Sequence, residues 1–198
     1  MSEKLETGIR QAQIAQAALA LVAERGLERL SVADVARRVG IVPSAIYRHY
    51  PSKDAVLETV LRLVRDRLLE NVRMASAKTA DPFDRLHRVL VRHVKLVRDN
   101  QAIPRIVFSE EIYRGRPARR ARMYKAIAGY LDQVADIVRA GQAGGAIRPD
   151  LDPSTVAVMF LGLIQPAAIL WHMSDGRFDV TRHTEKAWKV FRGAIAAS

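Results

Sequence analysis

The 198-residue chain has no cysteine, which excludes a disulfide framework, a thiolate metal site and a cysteine nucleophile. Aromatic residues make up only 6% against 49% apolar residues, so the core has to come mostly from Leu, Val, Ile and Ala. That mixture favours helices packed on helices, and strand-like alternation is scarce throughout. Met1 to Gly8 is polar and has no apolar h-region, which argues against a secretory signal. The most apolar run, Val156 to Trp171, is shorter than the roughly 20 residues that span a bilayer, and it holds Gln165 and Pro166. It reads as a buried helix or a subunit interface, and the protein as soluble, cytoplasmic and without a membrane partner.

Acidic residues are also short in supply. The formal net charge is +11, which permits a polyanionic partner. Eight basic residues stand against five acidic ones in residues 1–53, and twenty-four against sixteen in residues 54–198. The excess is spread out, so charge alone does not locate a nucleic-acid site.

Periodicity and stop signals predict an all-α chain of about nine helices. The first covers about Gln11 to Arg25, with Ile14, Ala17, Ala18, Leu21 and Val22 on one face and Gly26 as its stop. Ser31 is a good N-cap for a second, with Asp34 three residues on, and Gly40 ends it. A short third helix, Pro43 to His49, starts on proline and is closed by Pro51. Longer helices follow from about Ser52 to Lys78, from Asp81-Pro82 to Arg98, and from Pro117 to Ala140, with a brief turn at Pro104 to Phe108. "GQAGG" stops the last of these. "DPS" at Asp152 to Ser154 then opens the apolar helix, "SDG" at Ser174 to Gly176 ends it, and a final helix spans about Val180 to Ala196.

The stretch "VGIVPSAIYRHYPSK", Val39 to Lys53, meets the demands of a helix-turn-helix corner. Such a corner needs a small residue where the helices cross, a residue tolerant of positive φ in the turn, and an apolar residue facing back. Ala36, Gly40 and Ile46 supply these. Pro43, Ser44 and Ala45 are small enough to enter a major groove, and Tyr47, His49 and Lys53 suit phosphate contacts. The opposing reading makes Tyr47 and Tyr50 core aromatics and the rest a solvated turn; periodicity alone leaves both open.

"LERLSVADVARRVGIVPSAIYRHYPSKDAVL", Leu27 to Leu57, with the preceding "AALALVAERG", resembles the DNA-binding domain of TetR-family transcriptional regulators. The resemblance covers about fifty residues. It implies a helix-turn-helix DNA-binding domain over residues 1–53 and an effector-binding and dimerisation domain over residues 54–198. It also implies a ligand-responsive homodimer, most commonly a repressor, that leaves a palindromic double-stranded DNA operator when a small, mostly apolar effector binds. Carried over by position, Ser31 caps the second helix and touches a phosphate. Pro43, Ser44 and Ala45 face bases, and Tyr47, His49 and Lys53 hold phosphates. Family members often have Ser where this chain has Val42. Its absence removes a side-chain cap worth about 1 kcal/mol and leaves an apolar contact suited to a thymine methyl. Arg48 is the best placed for base discrimination, and whether it reaches a base or a phosphate stays open.

Beyond Leu57 the resemblance is architectural, with the last two helices pairing with a second subunit. Val156, Phe160, Ala167 and Trp171 form one apolar stripe, and Trp188, Phe191 and Ile195 another; both are assigned to the dimer interface. The effector pocket is placed among Leu90, His93, Val97, Met123, Ile127, Tyr130, Met159, Leu163 and Gln165. His93 is either a satisfied core histidine or a ligand contact. The basic run Arg114, Arg116, Arg119, Arg120, Arg122 and Lys125 reads as a solvated loop and helix start, or as a surface for an anion.

An enzyme is the first rival. None of the five histidines (His49, His87, His93, His172, His183) has the local acid partner and spacing of a zinc site or a triad, and no Gly-rich phosphate loop occurs. No catalysis, metal or cofactor is expected. The second rival is an architectural or nucleoid-associated DNA-binding dimer without an effector.

Overall fold

A computed structural model describes residues 2–100, 102–107, 109–114 and 116–197. Among them the fold is all-α. The eleven helical segments are α1 (Ser2–Arg25), α2 (Val32–Val39), α3 (Pro43–Tyr47), α4 (Lys53–Ser76), α5 (Pro82–Asp99), α6 (Ala102–Val107), α7 (Glu110–Tyr113), α8 (Pro117–Ala143), α9 (Pro153–Gly162), α10 (Gln165–Met173) and α11 (Val180–Ile195). The expected count was about nine. The turn at Pro104 is a short helix, α7 adds one turn of its own, and the apolar helix is broken in two; Phe108, the expected end of that turn, lies outside the described residues.

The chain divides into two compact units, Met1–Asp66 with Asn100–Ala121, and Arg67–Asp99 with Arg122–Ser198. Helix α4 begins at Lys53, where the sequence reading divides the chain, and its residues belong to the first unit up to Asp66 and to the second from Arg67. In the first unit, α1 buries Ile14, Ala18, Leu21 and Val22, while Val35, Ala36, Ile46, Val60 and Ile106 are also buried. Helix α1 lies against both α2 and α6. Removing such side chains from water is the main stabilising term for so small a unit.

The core of the second unit joins Leu86, Val89 and Leu90 of α5, Tyr130, Val134 and Val138 of α8, Phe160 of α9, and Trp188, Phe191 and Ile195 of α11. Side-chain caps set its helix starts. Asp152 accepts from the Thr155 N–H at 2.7 Å, and Asp179 from the Arg182 N–H at 3.0 Å. Helix α8 outruns its expected end at Ala140, because Gly141 is a close-approach residue rather than a stop. A Cβ there would lie 2.6 Å from Ile147 Cδ1. The stop is Gly145, at φ 74°. The Ala146 N–H reaches Gly141 O at 2.9 Å across it, closing the helix end.

Residues Pro153–Met173 are together long and apolar enough to cross a membrane by length and composition, where the run read from sequence is shorter. The chain does not use them as one rod. Pro166 lacks an N–H and its ring would meet the carbonyl four residues back, so the backbone turns at Leu163 and Ile164. Val156, Ala157, Phe160, Ile164 and Ala167 point into the core.

Candidate functional site

Helix α2 starts where Ser31 takes an extended conformation and its hydroxyl accepts from the Asp34 N–H at 3.1 Å. The same hydroxyl donates to Asp34 Oδ2 at 2.6 Å. That bond, with the Arg37 and Arg25 guanidiniums beside it, holds the Asp34 carboxyl below its ordinary range. The hydroxyl proton of Ser31 is therefore committed inside the cap, and a phosphate at this position would have to compete with Asp34.

The helix ends on Gly40, at φ 76°. The Ile41 N–H donates to Ala36 O at 3.0 Å and the Gly40 N–H to Arg37 O at 3.2 Å. This pair of bonds satisfies the last carbonyls only if the residue between turns left-handed. The chain then enters α3 through Val42, which is extended (φ −66°, ψ 139°) and gives no side-chain cap. The Ala45 and Ile46 N–H groups reach Val42 O at 2.9 and 3.4 Å, and Pro43 at the first position has no donor to satisfy.

Two residues pin the inner side of this short helix. Ile46 and Tyr50 are buried, and the Tyr50 N–H closes onto Ile46 O at 2.9 Å. The outer side is open: Val42 is 65% exposed, and Pro43, Ser44, Tyr47, Arg48 and His49 are exposed, with Ala45 and Lys53 half-buried. Tyr50 is thus the core aromatic and Tyr47 the surface one. Helix α3 stops at Tyr47, two residues before the expected end, leaving Arg48 and His49 on the turn that follows. Lys53 Nζ lies 3.4 Å from Glu28 O.

Ala45 and His49 also line a cleft of about 870 Å³ together with Arg10 and Gln13 of α1 and Thr59 and Arg62 of α4. Arg10 and Arg62 were not among the expected site residues, since nothing local in the sequence links positions 10, 49 and 62.

The basic run is only partly a solvated stretch. Arg114 pairs with Glu110 at 3.0 Å and Arg120 and Lys125 are exposed. Arg119 is 4% exposed, and its guanidinium donates from Nε to Glu58 Oε1 at 2.9 Å and from Nη2 to Asp54 Oδ1 at 3.1 Å. Arg116 pairs with Asp54 as well.

In the second unit, Leu90, His93, Val97 and Tyr130 are buried, and Met123, Ile127, Leu163 and Gln165 are half-buried. The Tyr130 hydroxyl and His93 Nδ1 share a hydrogen bond of 3.0 Å, which makes His93 a satisfied core histidine. Burial lowers the His93 pKa to about 4 and pushes the Tyr130 phenol up, so His93 is a neutral imidazole. Leu90 also lines a surface cleft of about 290 Å³ between α5 and α11, with Lys95, Arg98, Thr181 and Glu185. Met159 does not belong with this group. It is exposed on the outer side of α9, beside the inward Phe160.

The residues expected at the dimer interface need the same correction. Val156, Phe160, Ala167, Trp188, Phe191 and Ile195 are buried inside their own subunit, and Trp171 packs against the same core. The stripe is real, but it is already covered. The large apolar side chains that remain exposed on these helices are Val158, Met159, Ile169, Leu170, Met173 and Val190.

The chain is similar to known proteins in sequence and in fold. Residues 14–60 match the family model of bacterial regulatory proteins, tetR family, and residues 63–194 match that of the YsiA-like protein, C-terminal region. The fatty acid metabolism regulator protein of Bacillus subtilis is 24% identical over 168 residues, 85% of this chain and 86% of that one. The nucleoid occlusion factor SlmA of Edwardsiella ictaluri is 26% identical over 198 residues, 96% of this chain and 97% of that one. The structure of the transcriptional regulator FadR from Bacillus subtilis in complex with stearoyl-CoA superposes with a TM-score of 0.79 at 20% identity, covering 93% of this chain and 98% of that one.

Proposed function

The chain belongs to the TetR family of bacterial regulatory proteins and is a DNA-binding transcriptional regulator, and from that premise we propose that it is a cytoplasmic homodimeric repressor released from a palindromic operator by a small, mostly apolar effector. One observation carries the DNA half of this reading. The buried Ile46 and Tyr50 fix α3 from within, so Val42, Pro43, Ser44, Tyr47, Arg48 and His49 are presented outward as one surface. Pro43, Ser44 and Ala45 meet base edges, Tyr47, His49 and Lys53 meet phosphates, and Val42 packs on a thymine methyl. At Ser31 a phosphate meets the hydroxyl in competition with Asp34.

For the effector, the setting is an apolar interior holding one polar pair, His93 with Tyr130. That suits a long apolar molecule with one or two polar groups. The likeness to a fatty acid metabolism regulator and to a fold solved with stearoyl-CoA makes acyl thioesters the first class to test. The second copy sits on the exposed apolar side of α9, α10 and α11, supplying the two-fold symmetry a palindrome requires.

The likeness to a nucleoid occlusion factor over nearly the whole chain favours a second reading, a DNA-binding dimer that needs no effector. Selection from random duplexes, followed by titration of the recovered DNA with acyl-CoAs, separates the two. A palindrome released by ligand is expected. Recovery of no palindrome overturns operator recognition, and a palindrome indifferent to every acyl-CoA and fatty acid tried favours the second reading.

A further inference from the structure

Arg119 is one of few charged side chains buried among the described residues, and it sits in the first unit, with the helix-turn-helix. Its fork engages two carboxylates of one helix: Asp54 at 3.1 Å and Glu58 at 2.9 Å, one turn apart on α4. Arg116 adds a second cation to Asp54. Asp54 follows Lys53 directly, and Lys53 is the first residue of α4.

Two carboxylates in the opening turns of α4 are favourable to the helix but hostile to DNA phosphates nearby. Arg116 and Arg119 answer them charge for charge. Holding residues one turn apart on the same face also fixes the rotation of α4 about its axis, and hence the direction in which Lys53 leaves it. A planar guanidinium can bridge two acceptors in this way; a lysine ammonium, a flexible point charge, cannot hold the same fork. We propose that Arg119 is a positioning residue for DNA binding, clamping Asp54 and Glu58 so that Lys53 is presented to a backbone phosphate. The proposal rests on the reading of Lys53 as a phosphate contact.

The test is a double-mutant cycle on the full chain, with operator affinity measured for Arg119→Lys, Lys53→Ala and the double variant, each first checked for native helicity and melting temperature. Arg119→Lys keeps the charge and is expected to lose about tenfold in affinity, equivalent to about 1.4 kcal/mol. In the Lys53→Ala background the same change is expected to cost little, because the contact it serves is gone. The salt dependence of Arg119→Lys keeps its slope, whereas Lys53→Ala lowers it by about 1. Should Arg119→Lys fold poorly, Glu58→Gln removes one arm of the clamp and carries the same cycle. Unchanged affinity in the folded clamp variant, or additive losses in the double variant, overturn the positioning role. Unchanged affinity in Lys53→Ala overturns the phosphate contact itself and the proposal with it.

Discussion

The hydroxyl of Tyr130 on α8 and Nδ1 of His93 on α5 are hydrogen-bonded at 3.0 Å, and the two rings meet edge to face with centroids 5.4 Å apart. Both side chains are buried, and each satisfies a polar atom that would otherwise be stranded in an apolar interior. The pair makes the core of the second unit sensitive to protons and to small changes of side chain.

Burial depresses the His93 pKa from 6.5 to about 4, so the folded protein keeps it neutral while the unfolded chain takes up a proton below pH 6.5. The stability this group contributes is complete above pH 6.5 and falls as pH drops towards 4. The loss amounts to about 3 kcal/mol over that window. Urea unfolding at pH 7 and pH 4.5 is expected to show the wild type losing more stability than His93→Gln, by most of that amount.

Tyr130→Phe removes the hydroxyl and leaves Nδ1 of His93 buried without this partner, at a cost of about 1–3 kcal/mol. Replacing both residues by Phe removes the polar requirement altogether. The double variant is expected to be more stable than the sum of the single losses implies, and chemical denaturation of the four proteins measures the difference.

Val42 has the extended backbone of an N-cap but no side-chain acceptor. Val42→Ser is expected to stabilise the protein by about 1 kcal/mol, read as a rise in melting temperature. The same change exchanges a methyl-seeking surface for a hydroxyl, so selection from random duplexes is expected to show a changed base preference at the position it meets.

Tyr47 and Arg48 are both exposed but differ in chemistry. Tyr47→Ala is expected to weaken binding to operator and unrelated DNA alike, as loss of a phosphate contact does. Arg48→Ala is expected to narrow the gap between operator and single-base variants by about 1–3 kcal/mol if the guanidinium reads a guanine. Equal losses on all sequences would assign Arg48 to a phosphate instead. Fluorescence anisotropy on matched duplexes gives both answers.

The interface proposed on α9, α10 and α11 separates two kinds of variant. Leu170→Glu or Met173→Glu places a charge on the exposed apolar side of α10 and is expected to yield folded monomers by sedimentation velocity. Phe160→Ala, by contrast, opens a cavity inside one subunit and is expected to cost about 3–5 kcal/mol of stability with the association state unchanged.

The sequence by itself determined the helix-turn-helix corner and most helix ends. Those features depend on a few adjacent residues: Ser31 caps through its own side chain, Gly40 alone accepts the left-handed turn, and Pro43 needs no donor. It left undecided which side of an apolar helix faces inward. Val156 and Phe160 alternate with Val158 and Met159 on a helix that is apolar all round, so periodicity carries no phase there. Nor did it show that Arg119 leaves water, because its partners lie 61 and 65 residues away, or that His93 meets Tyr130 across 37. Burial and pairing between distant positions are set only when whole helices pack, and packing is where this chain's tertiary structure decided which charges are buried and which apolar surface remains for a partner.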